Sequence, residues 1–239
     1  MYKETSARSI VKTISWRFWA TLTTVALVLL FFGEIEAALS IGFLEVIIKM
    51  VVYFFHERTW NRIKFGRHEI QPFVLWFSGL SGSGKRRISE KVYEVLQKEG
   101  LKLEYLNGET VRKLFPQTGF SREERIIHNE RVGYLASKLE KNGVFVVAAF
   151  ESPFKESREF IRNICKNYIE VYVSTPLEYC QKEDRRGLYA QAEKGEVKGV
   201  SGVDFPYEEP ENPAVKVDIS QMSVEEAVDQ VVKHLEKYI

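Results

Sequence analysis

Residues 73–87 read FVLWFSGLSGSGKRR, and the fold of most of the chain follows from that stretch. An apolar run ends in Gly79-Leu80-Ser81-Gly82-Ser83-Gly84-Lys85, and a helical pattern follows. This is G-x-x-x-x-G-K in the strand–loop–helix setting that gives the motif its meaning. The glycines let backbone N–H groups turn inward around phosphate oxygens, and the helix N-terminus adds positive potential. All seven residues are candidates for the cradle, with the Lys85 ammonium reaching the phosphates. The next position normally carries a Ser or Thr hydroxyl for Mg²⁺. Here it is Arg86, followed by Arg87. A guanidinium has no lone pair for a metal, but it can neutralise phosphate. Nucleotide binding is therefore expected to outlast metal-assisted transfer.

Working outward, apolar runs recur at 102–106, 144–149, 169–173 and 215–218, separated by longer amphipathic stretches. That alternation predicts βαβ units: an α/β, P-loop NTPase-type parallel sheet flanked by helices. VFVVAA is apolar almost throughout, as expected for a strand covered on both faces. Ser223 with Glu226 predicts a capping box at the last helix. In the full 239 residues, 34 Lys+Arg against 33 Asp+Glu leave a net charge of +1. Such a balance gives no reason to expect nucleic acid as a partner. The two cysteines, Cys165 and Cys180, lack metal or disulfide spacing and are expected in the core. His56, His68 and His234 are scattered, without partner spacing for a metal or a triad.

Upstream the pattern changes. Phe18 to Phe32 is 15 residues without a charge, and Ala37 to Phe55 is 19 residues interrupted by Glu45 and Lys49. With flanking apolar residues these predict a two-helix transmembrane hairpin spanning about 14–32 and 37–55, near the ~20 residues a crossing needs. A buried soluble hairpin and a signal peptide compete for this region, but no small-x-small cleavage site opens a mature chain. Lys3, Arg8, Lys12 and Arg17 precede the first span and Arg58, Arg62, Lys64 and Arg67 follow the second, while the turn at 33–36 has no Lys or Arg. The positive-inside rule then puts both termini, and the P-loop domain, in the cytoplasm. Trp16, Trp19, Tyr53 and Trp60 suit an interfacial belt. Glu45 and Lys49, four apart, read as a self-neutralised pair facing a neighbouring helix or as part of an ion path. The domains are thus 1–66, a linker at 67–72, and 73–239.

The stretches WFSGLSGSGK, LNGETVR, GFSREER, RVGYLA, AAFESPF, VEEAVDQVVKHL and GLYAQAEKGEVKGVSGVDFPYEEPENP resemble the adenylyl-sulfate kinase family from Phe73 to the C-terminus. The resemblance implies transfer of the γ-phosphoryl of ATP, with Mg²⁺, to the 3′-hydroxyl of adenosine 5′-phosphosulfate (APS). By this likeness Arg112 and Arg125 grip the sulfonucleotide, where an arginine fork suits phosphate and sulfate oxygens. Phe120 stacks on its adenine. Ser152, Pro153 and Phe154 form the acceptor loop, and residues 186–204, with Gly202, form a lid. Lys85, Asn107, Glu109 and Ser152 are the candidate catalytic residues.

The departures are informative. The family's D-G-D is Asn107-Gly108-Glu109, so an amide stands where a base or metal partner is expected. Glu109 is the remaining candidate to hold Mg²⁺. His128 replaces an Asn at the acceptor side, and Val200 replaces a lid aromatic that forms one wall of the adenine sandwich. Residues 7–66, through SIVKTISWR, ALSIG and EVIIKMVVYFFHER, resemble a family of two-helix membrane domains, which implies contact with a lipid bilayer. Three readings stay open: a membrane-anchored APS kinase, a pseudokinase that binds nucleotide as a sensor or scaffold, and a kinase with a different acceptor, since His128 and Val200 reshape the acceptor side. A homodimer and a membrane transporter are candidate partners.

Overall fold

The chain divides into two units, Met1–Ile70 and Gln71–Ile239. The computed structural model describes residues 2–4, 6–30, 35–63, 65, 67–115, 119–184 and 186–239. In the first unit, β1 (Tyr2–Glu4) pairs antiparallel with β2 (Arg67–Glu69), so half of the expected 67–72 linker is strand. Helices α1 (Ser6–Leu30) and α2 (Ile35–Arg62) cover most of both expected spans. The tip of the turn at 31–34 and the Glu45 side chain lie outside the described residues. Among the described residues no helix is long and apolar enough to cross a membrane. Charged side chains interrupt both: α1 contains Arg8, Lys12 and Arg17, and α2 contains Lys49, Glu57, Arg58 and Arg62.

Arg8 lies ahead of the expected first span. It is fully buried, and its guanidinium donates to the carbonyls of Trp60 and Phe65, both at 2.6 Å, and of Ile63 at 2.9 Å. It thereby gathers three carbonyls where α2 ends, a favourable site for a cation. Of the expected belt aromatics Trp60 is buried, whereas Trp19 and Tyr53 stay exposed. Trp16 meets Tyr53 edge-on at 4.9 Å, and His56 accepts from Trp60 Nε1 at 3.1 Å.

The second unit runs β3 (Val74–Ser78), α3 (Lys85–Lys98), β4 (Leu103–Asn107), α4 (Gly108–Leu114), α5 (Arg122–Lys141), β5 (Phe145–Ala149) and α6 (Lys155–Ile164). It continues with β6 (Tyr168–Val173), α7 (Leu177–Lys182), α8 (Leu188–Glu193), β7 (Val215–Val217) and α9 (Val224–Leu235). The strands form one parallel sheet in the order β4-β5-β3-β6-β7. Central β3 is buried at every residue, which its unbroken VLWF run requires. On α3 the buried stripe Ile88, Val92 and Leu96 repeats every four residues and covers the sheet. The expected capping box at Ser223 and Glu226 forms, and Ser121 with Glu124 makes a second one at α5. Cys165 and Cys180 are buried and free, and burial lifts their thiols to about 12 and about 11, which leaves both unreactive. Strand order reverses about β3, so a crevice opens beyond its carboxyl end, where this class of sheet binds ligands.

One buried charge cluster positions the loop after β5. Glu170 on β6 faces Arg158 at 3.3 Å and Arg162 at 2.6 Å, both from α6. Desolvation raises the carboxyl's pKa, and the two guanidiniums oppose that shift. Arg158, itself buried, also donates to the carbonyls of Ser152 and Glu208. Substituting Glu170→Gln leaves Arg158 buried without a counter-charge, and urea denaturation is expected to register a loss of about 3–5 kcal/mol. Arg162→Ala, at a half-exposed partner, is expected to cost no more than about 1 kcal/mol.

Candidate active site

The loop from Gly79 to Gly84 owes its shape to missing side chains. Gly79 has φ +139°, and a Cβ there would lie 2.3 Å from the Val173 carbonyl oxygen. Gly84 has φ +90°, with Ile219 Cδ1 at 2.4 Å from the same imagined atom. Neighbouring elements brace the loop: Thr175 Oγ1 donates to the Ser83 carbonyl at 3.0 Å, and Tyr189 of α8 donates to the Ser81 carbonyl at 2.8 Å. Lys85 folds over its own loop, donating to the Leu80 carbonyl and to Ser83 Oγ. Desolvation lowers its ammonium to about 8, against the pull of Glu151 and Cys180. A cavity of about 430 Å³ stands over the loop. Ser81, Gly82, Gly84, Lys85, Arg86 and Arg87 line it, whereas Gly79, Leu80 and Ser83 support it from behind.

The residues present do not fit the expected Mg²⁺. Arg86 holds the place of the hydroxyl ligand, and its guanidinium bonds Glu90 at 2.7 Å and Glu109 at 3.1 Å. Glu109, the expected substitute ligand, is therefore taken up by a cation. Asn107 is spent as well, because its Oδ1 accepts the Thr110 N–H at 2.9 Å as the N-cap of α4. Ser89, one turn along α3, bonds Tyr105 Oη and the Arg86 carbonyl. Among the described residues no group of three or more His, Cys, Asp or Glu side chains is arranged to hold a metal ion.

A second cavity, of about 280 Å³, shares Gly108 and Ala149 with the first. Arg112, Phe120, Arg125, His128, Ser152 and Pro153 all line it, as the sequence led us to expect. Arg112 lies over the Phe120 ring at 4.5 Å, and Arg125 stands 5.5 Å from it. Arg125 is buried and held by Glu151 at 2.8 Å and by the carbonyls of Phe120 and Gly199. The His128 ring is buried between Phe115 and Phe150, and neither nitrogen finds a hydrogen-bond partner among the described residues. Desolvation, reinforced by Arg112, Arg131 and Arg125, lowers it to about 4. At neutral pH it is an uncharged ring with one donor and one acceptor to offer.

Three expected residues take particular positions. Ser152 Oγ accepts from Trp76 Nε1 at 2.9 Å inside the core, which braces the loop, while the residue also lines the second cavity. Its backbone has φ +44°, a strained value for a side chain with a Cβ, and Arg158 holds its carbonyl there. Phe154 lines neither cavity but turns inward against Phe205 at 5.1 Å. Gly202 also lies outside both linings, at φ +91° with a Leu177 methyl 2.8 Å from where its Cβ would stand. Sequence reasoning missed Glu151, which pins Arg125 while its backbone carbonyl accepts from Gly79 and Tyr207. Its position just past the end of β5, inside the quoted AAFESPF, was the available signal. Lys198, Val197 and Leu188 also line this second cavity, and Val200 lies there too, largely buried.

Residues 71–218 match the adenylylsulphate kinase family, and residues 10–61 match a predicted membrane protein family (DUF2061). A probable adenylyl-sulfate kinase of Pyrococcus abyssi is 44% identical over 165 residues, covering 69% of this chain and 95% of that protein. The adenylyl-sulfate kinase of Picosynechococcus sp. is 42% identical over 168 residues, covering 70% of this chain and 95% of the relative. Among solved structures, the Mycobacterium tuberculosis APS kinase CysC in complex with AMPPNP and APS superposes with a TM-score of 0.66 at 32% identity. That match covers 70% of this chain and 99% of the other. With the phosphate loop, the sheet order and the paired cavities already in place, the chain belongs to the adenylylsulphate kinase family.

Proposed function

We propose that the protein transfers the γ-phosphoryl group of ATP to the 3′-hydroxyl of APS, and that its N-terminal helices hold it at a membrane. The observation that carries the catalytic half is the pair of cavities meeting at Gly108 and Ala149. A phosphoryl donor over the loop and an acceptor beside Arg112 and Arg125 would face each other across that shared wall. In this reading Lys85, Arg86 and Arg87 bind the donor phosphates, and Arg112 and Arg125 bind the phosphosulfate. Phe120 exchanges the Arg112 guanidinium for the acceptor adenine, and neutral His128 hydrogen-bonds the acceptor. The 186–204 segment excludes water as the new O–P bond forms and the bond to the ADP oxygen breaks. ADP, the 3′-phosphorylated product and a proton result. The membrane half, two spans with both termini cytoplasmic, draws on the match over residues 10–61 and on the uncharged runs.

A second reading, binding with little or no turnover, is favoured by Asn107 serving as a helix cap and by Arg86 holding Glu109. An amide takes no proton at neutral pH, and transfer depends on charge stabilisation at the positions that have changed.

A coupled assay on the full chain in detergent, with ATP and APS, separates the two by product formation. If the altered positions limit the rate, Arg86→Ser combined with Asn107→Asp is expected to raise turnover by about 10²-fold, the usual contribution of a restored acid–base group. Carbonate extraction of membranes containing the full chain is expected to leave it in the pellet; release into the supernatant would refute the anchor. Binding of ATP should also depend on pH through Lys85, whose pKa is about 8 and which bound phosphates would raise again. Affinity is then level below about pH 8 and falls above it, with proton uptake visible by calorimetry in buffers of different ionisation heat.

A further inference from the structure

The misfit between this site and Mg²⁺ has a constructive side. Four cations, Lys85, Arg86, Arg87 and Arg186, line the donor cavity together with three acids, Glu109, Glu183 and Asp184. Arg86 is the cation at the position where the motif holds its metal. Its guanidinium stays exposed, tethered to two exposed carboxylates on either side, Glu90 along α3 and Glu109 from α4. Pairs of that kind are weak and solvent-screened, so an arriving phosphate can take their place. A guanidinium presents several N–H donors to phosphate oxygens in a fixed fork, which hydrated Lys does not.

We infer that Arg86 replaces the divalent cation, so that the donor site binds the polyphosphate of metal-free ATP with Arg86 as its built-in counter-charge. This rests on the reading of the cavity over the phosphate loop as the donor nucleotide site. The geometry supports it in three ways. Arg86 is the first helical residue after Lys85, at the helix start that faces the phosphates. Its reach is set by Glu109, which lines the same cavity from the opposite wall and holds the guanidinium across the opening. Of the oxygen donors that would bind a metal, Asn107 is engaged by the Thr110 N–H as the cap of α4. Metal bound alongside Arg86 would meet a like charge where it needs a lone pair. The guanidinium is also a permanent charge: the hydrogen bond to Glu90 raises its pKa, whereas Lys85 loses protons near pH 8. Across the weakly alkaline range Arg86 is therefore the steadier of the two cations.

Calorimetric titration of the full chain in detergent with ATP tests this, once with EDTA and once with excess Mg²⁺. The expected result is binding in EDTA within about threefold of, or tighter than, binding in Mg²⁺. Arg86→Ser is expected to weaken metal-free binding by about tenfold or more, the worth of a charge-assisted contact, and to make binding respond to Mg²⁺. Because Arg86 is exposed, that variant leaves the core intact; the EDTA comparison on the unaltered chain needs no variant at all. Binding that requires Mg²⁺, or an unchanged EDTA affinity in Arg86→Ser, would overturn the inference while leaving the donor site standing. Absence of ATP binding under both conditions would overturn the donor-site reading and the inference with it.

Discussion

The cavity over the phosphate loop depends on one close approach: the chain leaves β3 at Gly79 directly beneath the carbonyl of Val173 on β6. Any side chain there would collide with that oxygen, so the loop can turn over the sheet end only because Gly79 lacks one. The same approach fixes the start of α3, and with it Lys85 and Arg86, relative to the β6 end. Thr175, just beyond β6, completes the brace by donating to Ser83 and accepting from the Ile219 N–H. The sheet thus positions the loop through backbone contacts, and the phosphate-facing side chains are free to vary without loss of the loop itself. The arginine at position 86 is such a variation.

The second cavity is built differently, from buried charge. Glu170 lies inside the sheet layer with a raised pKa, and Arg158 reaches from it to the carbonyls of Ser152 and Glu208. Those bonds hold Ser152 at a positive φ that it would not adopt alone. Removing either member of such a buried pair costs more than the pair itself contributes. Glu151, next in the chain, then carries the arrangement to Arg125, which bonds the Gly199 carbonyl in the lid segment. Loop, helix and lid are therefore joined by a short series of charged contacts around one cavity.

Much of this was legible beforehand. The strand–loop–helix of 73–87, the five strands and the Ser223 capping box follow from periodicity and local hydrogen-bond chemistry, which act over a few residues. Arg112, Phe120, Arg125 and His128 were named from family likeness and do share a cavity. The side-chain directions of Ser152 and Phe154 were not legible, because Trp76 and Phe205, far away in the chain, set them. The burial of Arg8 was not legible for the same reason, since the carbonyls it bonds lie more than fifty positions further on.

The sequence by itself determined the α/β class, the phosphate loop and the loss of the hydroxyl and carboxylate at 86 and 107, because residue identity alone decides what can donate a lone pair. Only the tertiary structure decided that Glu109 is held by Arg86, that Asn107 caps a helix and that two cavities share a wall. Those facts depend on distances between segments distant in sequence, which packing of the sheet and its helices sets and no local pattern encodes.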